Sequence, residues 1–151
     1  MQKNLYLNQK FTKFINNENF EFDRSKILKI LNSDLLEDAY KTISKWQKYQ
    51  PTPLESLNKL SNELELKNIF YKDESKRFGL KSFKALGGAY AVERITKGKK
   101  DVIVSTATAG NHGKSVAWGA KNLGLNCKIF ISENVSETRA EEMRNLNAEV
   151  I

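Results

Sequence analysis

Two short stretches of this chain hold most of its chemical potential. The first, KDESKRFGLKSFKALGG (72–88), delivers Lys84 into what reads as the first turn of a helix, directly after Ser82 and Phe83. A helix start carries partial positive charge, so an ammonium ion there is disfavoured. That field, together with partial burial beside Phe83, favours the neutral amine, the form that attacks an aldehyde to make an imine. The competing account is a surface lysine on an amphipathic helix, and position alone leaves both open.

The second stretch, STATAGNHGKS (105–115), joins an apolar strand to a helix through a glycine-bearing turn. That geometry aims backbone N–H groups at an anion. Thr106, Thr108, Asn111 and Ser115 add neutral donors, so a carboxylate or a phosphate fits. Gly-Lys-Ser after a strand looks like a nucleotide-binding P-loop, but that motif needs a glycine five positions before Gly113, and Thr108 stands there. His112 is the only histidine. A lone histidine in a turn is more often a polar surface residue than a catalyst. No cluster of His, Cys and carboxylates has metal-ligand spacing, so no metal is expected.

Residues 1–22 are rich in Asn, Lys and Phe without a clear period and read as an irregular arm. Over 33–47 the spacing predicts a helix, with Ser33 or Asp34 as cap and Leu35, Leu36, Ala39, Ile43 and Trp46 near helical spacing. Pro51 and Pro53 stop it and force an extended stretch. A helix over 56–64 and a short strand over 69–72 follow. The lysine-bearing helix is predicted over 83–96. Gly87 and Gly88 inside it each cost about 1 kcal/mol against alanine, which marks a place where another backbone comes close. KGKK (97–100) is a polar break and a candidate domain boundary.

Beyond it the chain alternates: a strand over 102–105, a helix over 114–123 ended by Gly124, and a strand over 127–131. A helix capped by Ser136 with Glu137 at its positive end follows, then a third strand from 148. This pattern predicts an α/β fold, an open parallel sheet with flanking helices and right-handed crossovers. The third strand has no following helix, which leaves one face of the sheet short of cover, so the fold reads as truncated. Two parts are expected. Residues 1–100 would be the N-terminal part of a larger domain that includes the lysine helix, and 101–151 the start of a smaller, incomplete α/β domain.

Composition sets the bounds. The 151 residues are 40% hydrophobic and 28% charged, ordinary for a globular protein. Lys and Arg number 25 against 18 Asp and Glu, a net charge of +7. That balance suits an anionic ligand. No basic block is interleaved with aromatics, so nucleic acid is not an expected partner. A single cysteine, Cys127, excludes an internal disulfide and fits a reducing compartment. It opens the apolar run CKIFI, so a buried place is expected. The N-terminus lacks signal-peptide character and no run reaches membrane-spanning length, so no membrane partner and a cytoplasmic location are expected.

Taken together, the motifs resemble the pyridoxal phosphate (PLP)-dependent lyases of the tryptophan-synthase β type, fold type II. The shared elements run in order: PTPL (51–54), KDES (72–75), SFK (82–84), AGNHG (109–113) and IFISENVSETRAEEMRNLNAEVI to the end. The resemblance covers about residues 50–151. Within the family, RFGLKSFKALGGAYA (77–91) and HGKSVAW (112–118) look closest to the diaminopropionate ammonia-lyases, with the threonine and serine dehydratases as the alternative.

The resemblance implies roles. Lys84 matches the lysine that binds PLP covalently, Asn111 the asparagine that hydrogen-bonds the cofactor's ring oxygen, and Phe83 the residue flanking the cofactor. Thr108, Ala109, Gly110 and His112 match the turn that holds the substrate carboxylate. The implied reaction is α,β-elimination of 2,3-diaminopropionate to pyruvate and ammonia, in amino-acid catabolism, by an enzyme that is a homodimer at full length. Two departures stand out. Ala109 replaces the aspartate usual before GNHG in diaminopropionate lyases, which puts the D-isomer in doubt as a substrate. A glycine-rich phosphate loop and a partner for the pyridine nitrogen are also missing. In the family both lie later in the chain, so these 151 residues are expected to be an N-terminal fragment, inactive and weak in PLP binding by themselves. A non-catalytic anion- or nucleotide-binding module is the reading from another class.

Overall fold

Asp23 starts the first helix: its carboxylate accepts from the N–H groups of Ser25 and Lys26 at 2.9 and 3.3 Å and so caps α1 (Arg24–Ile30). The computed structural model describes residues 17, 18 and 23–151. Apart from 17 and 18, the arm expected over 1–22 lies outside the described residues. Asn32, not Ser33 or Asp34, caps α2 (Ser33–Ile43), its side-chain oxygen accepting from Leu35 N–H at 2.8 Å. The helix ends before the expected residue 47, which places Trp46 in a turn. Past the two prolines, β1 (Leu54–Ser56) pairs antiparallel with β2 (Phe70–Lys72), and α3 (Asn58–Glu63) joins them. β2 falls within the strand expected over 69–72, and β1 lies in the extended stretch expected at the prolines, with Ser56 in the strand rather than in the following helix.

A short 3-10 turn, Arg77–Gly79, leads into α4 (Lys84–Thr96). The break expected at KGKK is a left-handed one: Lys97 has φ 43° and Gly98 φ 77°, and the Lys97 N–H donates to Glu93 O. Then come β3 (Ile103–Ala107), α5 (Asn111–Asn122), β4 (Asn126–Phe130), α6 (Glu137–Arg144) and β5 (Ala148–Val150). The three strands form a parallel sheet in the order β3-β4-β5, with Val104 opposite Cys127 and Cys127 opposite Ala148. This is the α/β alternation that the periodicity predicts.

The core lies between this sheet and its helices. Val92 of α4, Val116, Ala117 and Ala120 of α5, Cys127 and Ile129 of β4, and Met143 of α6 are all buried. Cys127 takes the expected interior place, and burial pushes its thiol above the usual range. Ser136 is the N-cap of α6 in extended conformation, but its side chain makes no capping hydrogen bond; Glu137 instead pairs with Arg144 at the far end of the helix. The outer edge of β3 has no partner strand among the described residues. Beside it lies an apolar cavity of about 380 Å³ lined by Val92, Ile95, Val102, Val104, His112 and Val116, among others. No helix of the described residues is long and apolar enough to cross a membrane.

Candidate functional site

The approach to Lys84 is held from behind. Arg77 is buried, and its guanidinium donates to both oxygens of Glu74, at 2.8 and 2.9 Å. It also donates to Gln50 O at 2.8 Å and to Thr52 Oγ1 at 3.0 Å. Thr52 in turn donates to Glu74 Oε1. The Arg77 hydrogen bonds, joined by the Thr52 hydroxyl and the Arg77 charge, hold the Glu74 carboxyl down at about 2 although burial opposes them. Asp73 N–H donates to Pro53 O at 3.0 Å, so the PTPL and KDES segments form one unit.

After Arg77 the backbone turns left-handed at Phe78 (φ 49°), Gly79 (φ 75°) and Lys81 (φ 57°). A side chain at positive φ costs about 1–2 kcal/mol, so Phe78 needs compensation. Its ring stacks on Trp118 at 4.6 Å and lies 5.8 Å from Trp46. Trp46 is fixed by a 2.6 Å hydrogen bond from its indole N–H to Glu93 on α4.

Lys84 is the first residue of α4, and its N–H donates to the Oγ of buried Ser82 at 3.1 Å. Its amine sits 5.3 Å from the centroid of the Phe83 ring, and among the described residues no carboxylate pairs with it. The expected shelter is absent: Lys84 is exposed and Phe83 is 60% exposed, because the described elements place nothing over this turn.

The second constellation starts its helix earlier than the sequence suggests. Asn111, His112 and Gly113 are the first turn of α5 rather than part of the loop. The turn is anchored where Thr108 N–H donates to Phe130 O at 3.1 Å. Gly110 is the N-cap and brings no side chain to the first-turn N–H groups, and no acidic residue occupies that turn. Gly113 is buried in a tight place, where a Cβ would lie 3.1 Å from Thr108 O and 3.3 Å from Met143 Cε. Thr108, Ala109 and Gly110 are half-buried, whereas Asn111 and His112 are exposed. The result is an uncapped helix start beside an exposed amide, suited to an anion.

The two constellations meet through Ser115 and the glycines. The fully buried Ser115 hydroxyl donates to Lys84 O at 2.6 Å and accepts from Ala89 N–H at 3.1 Å. Gly88 makes room, since a Cβ there would fall 2.3 Å from Ser115 Oγ. Gly119 does the same one turn on, where a Cβ would meet Ala89 Cα at 2.7 Å. The expectation of a close approach at Gly88 therefore holds, whereas Gly87 faces open space. Sequence reading did not give Gly119, Glu74, Arg77 or the Phe78 cluster a role. For the ion pair a signal existed in the i,i+3 spacing of Glu74 and Arg77.

Comparison with known proteins agrees with this arrangement. The family profile of pyridoxal-phosphate dependent enzymes matches residues 45–151. The diaminopropionate ammonia-lyase of Escherichia coli K12 is 40% identical over 121 residues, covering 68% of this chain and 30% of that protein. Its counterpart in Salmonella typhimurium is 38% identical over 144 residues, covering 81% of this chain and 36% of that protein. The solved E. coli enzyme in complex with an aminoacrylate–PLP azomethine reaction intermediate superposes with a TM-score of 0.73 at 39% identity, over 79% of this chain and 34% of that one. The chain thus spans about a third of the length of these relatives. With a profile match over most of its length, the chain belongs to the family of pyridoxal-phosphate dependent enzymes.

Proposed function

We propose that this chain supplies the cofactor-lysine portion of an ammonia-lyase that converts 2,3-diaminopropionate and water into pyruvate and two ammonia molecules. The observation that carries the reading is the Lys84 amine at the start of α4, paired with no carboxylate among the described residues, on a turn bonded directly to the helix whose uncapped start can take an anion. The identity of about 40% to diaminopropionate ammonia-lyases supports the substrate class.

The residues present fit PLP: an amine for its aldehyde, the Asn111 amide for its ring oxygen, and Phe83 to flank the ring. When bound, the cofactor supplies an electron-withdrawing ring that takes up the charge left at the substrate Cα. Lys84 Nζ would hold the cofactor and, as a free amine, would take the Cα proton. The first-turn N–H groups of α5, with Thr108, Ala109, Gly110 and His112, orient the substrate carboxylate. Ala109 has no group that can move a proton, so this reading makes the D-isomer the poorer substrate. We place the division into a larger and a smaller domain near residue 100, at the left-handed break after α4.

The full-length protein loaded with PLP tests the reading by release of 2-oxo acid and ammonia from L- and D-2,3-diaminopropionate, L-serine and L-threonine. The expected order of kcat/KM places L-2,3-diaminopropionate first. Ala109 is also the feature that favours a dehydratase, and threonine dehydratases are 34–38% identical over 103 residues. A higher kcat/KM on threonine or serine would replace the proposed substrate with that one.

A further inference from the structure

Ser115 is fully buried, yet its hydroxyl makes no contact that α5 itself requires. Both of its hydrogen bonds leave the helix: one goes to the carbonyl of Lys84 at 2.6 Å and the other comes from the N–H of Ala89 at 3.1 Å. Gly88 leaves the space the hydroxyl needs, with a would-be Cβ only 2.3 Å from the oxygen. On α5, Ser115 lies four residues, about one turn, after Asn111. One rigid helical turn and one partly buried hydrogen bond therefore connect the anion-accepting start of α5 to the backbone of the lysine.

We propose that Ser115 is a positioning residue that sets where Lys84 stands relative to the Asn111–His112 turn, with Gly88 as the vacancy that admits it. The inference rests on the reading of Lys84 as the cofactor lysine. A hydrogen bond to the lysine's own carbonyl fixes the backbone from which its side chain extends. The neighbouring turn fixes the anionic end of whatever the amine reacts with. Losing the hydroxyl leaves both groups present but lets their separation vary, and reactions between positioned groups are sensitive to such drift.

The test uses the full-length protein, stripped of PLP and reloaded. It reads two quantities: the melting temperature, and the rate at which Lys84 captures PLP, followed by absorbance and by borohydride fixation of the label at that lysine. Ser115→Ala removes the hydroxyl and keeps the Cβ. The double variant Gly88→Ala with Ser115→Gly moves the methyl to the other helix. The two closest contacts of the new Cβ then disappear with the Ser115 side chain, and the backbone carbon of residue 115 lies at an ordinary 3.5 Å. Against the parent, alanine replaces glycine in one helix interior and glycine replaces serine in the other, so the propensity changes largely offset.

The expected result is capture slowed roughly three- to tenfold in both variants, the scale of one hydrogen bond. The double variant should melt close to the parent. Capture at the parent rate in both variants overturns the inference. So does slowed capture in Ser115→Ala that the double variant restores, since Ser115 would then act through packing alone. Lys84→Ala is the separate control. If borohydride still fixes PLP to that variant at the parent level, the assignment of Lys84 fails whatever Ser115 does.

Discussion

At the scale of single residues the chain divides its tasks between groups that could react and groups that hold them. The reactive candidates were legible because their types and order are unusual: a lysine just inside a helix start, and an asparagine and a histidine in a glycine-flanked turn. The holding groups were not, because a charged pair such as Glu74 and Arg77 looks the same in sequence whether it is solvated or buried. Its worth follows from burial, with the two side chains, Arg77 and Glu74, 7% and 18% exposed. Arg77→Met leaves the Glu74 carboxylate without its fork, and urea unfolding at pH 7 should show a loss of about 3 kcal/mol. The pH dependence has a definite sign. Glu74 titrates near its ordinary 4.5 when unfolded and at about 2 when folded. Its stabilising contribution is therefore complete above pH 4.5 and is lost as pH falls towards 2. The stability difference between the parent and Glu74→Gln should be constant from about pH 7 to about 5 and shrink below that. A difference that stays flat down to about pH 2 would mean that the ion pair contributes no proton linkage.

At the scale of elements, the α4–α5 contact decides how the two constellations meet. Periodicity gave both helices, since their apolar residues recur at helical spacing. It misjudged the start of α5 by three residues, because Asn, His and Gly are weak helix formers and the uncapped first turn carries no propensity signal. It also treated the glycines alike, and only three-dimensional contact separates them. Gly119→Ala places a Cβ 2.7 Å from Ala89 Cα and 3.0 Å from Ala89 Cβ, so the helices must move apart. That overpacking should outweigh the helix-propensity gain and destabilise by about 1–2 kcal/mol. Gly87 is exposed and meets nothing within 4 Å. Gly87→Ala should stabilise by about 0.5–1 kcal/mol, through helix propensity and a less disordered unfolded chain. Thermal melts of the pair give opposite signs on this account. Equal signs would show that the close contact of α4 with α5 is not what fixes the helix pair.

At the scale of the whole molecule, the alternation of strands and helices was legible. Which strands stand at the edges of the sheet was not, because strand order cannot be read from local pattern. The structure puts β3 and β5 at the two edges; β3 carries Ile103, 58% exposed, and has Ile95, 76% exposed, and the apolar cavity beside it. A second apolar surface lies on α1 and α2, where Ile30 and Leu36 are 73% and 72% exposed. The two differ physically. Apart from the end turns, helix backbone groups are satisfied within each helix, whereas the outer edge of β3, with no partner strand among the described residues, presents its N–H and C=O groups beside an apolar groove. Self-association of this 151-residue chain should therefore run through β3. Ile103→Lys places a charge on that edge and should lower the associated fraction in sedimentation velocity over a concentration series, while Leu36→Glu should change it little. The reverse ranking would assign the association to the α1–α2 face, where side-chain burial alone would drive it. If the introduced ammonium does act at the edge, raising the salt concentration should restore part of the association, because screening weakens repulsion between like charges brought together on paired strands. An apolar contact between helix faces has no comparable screening term.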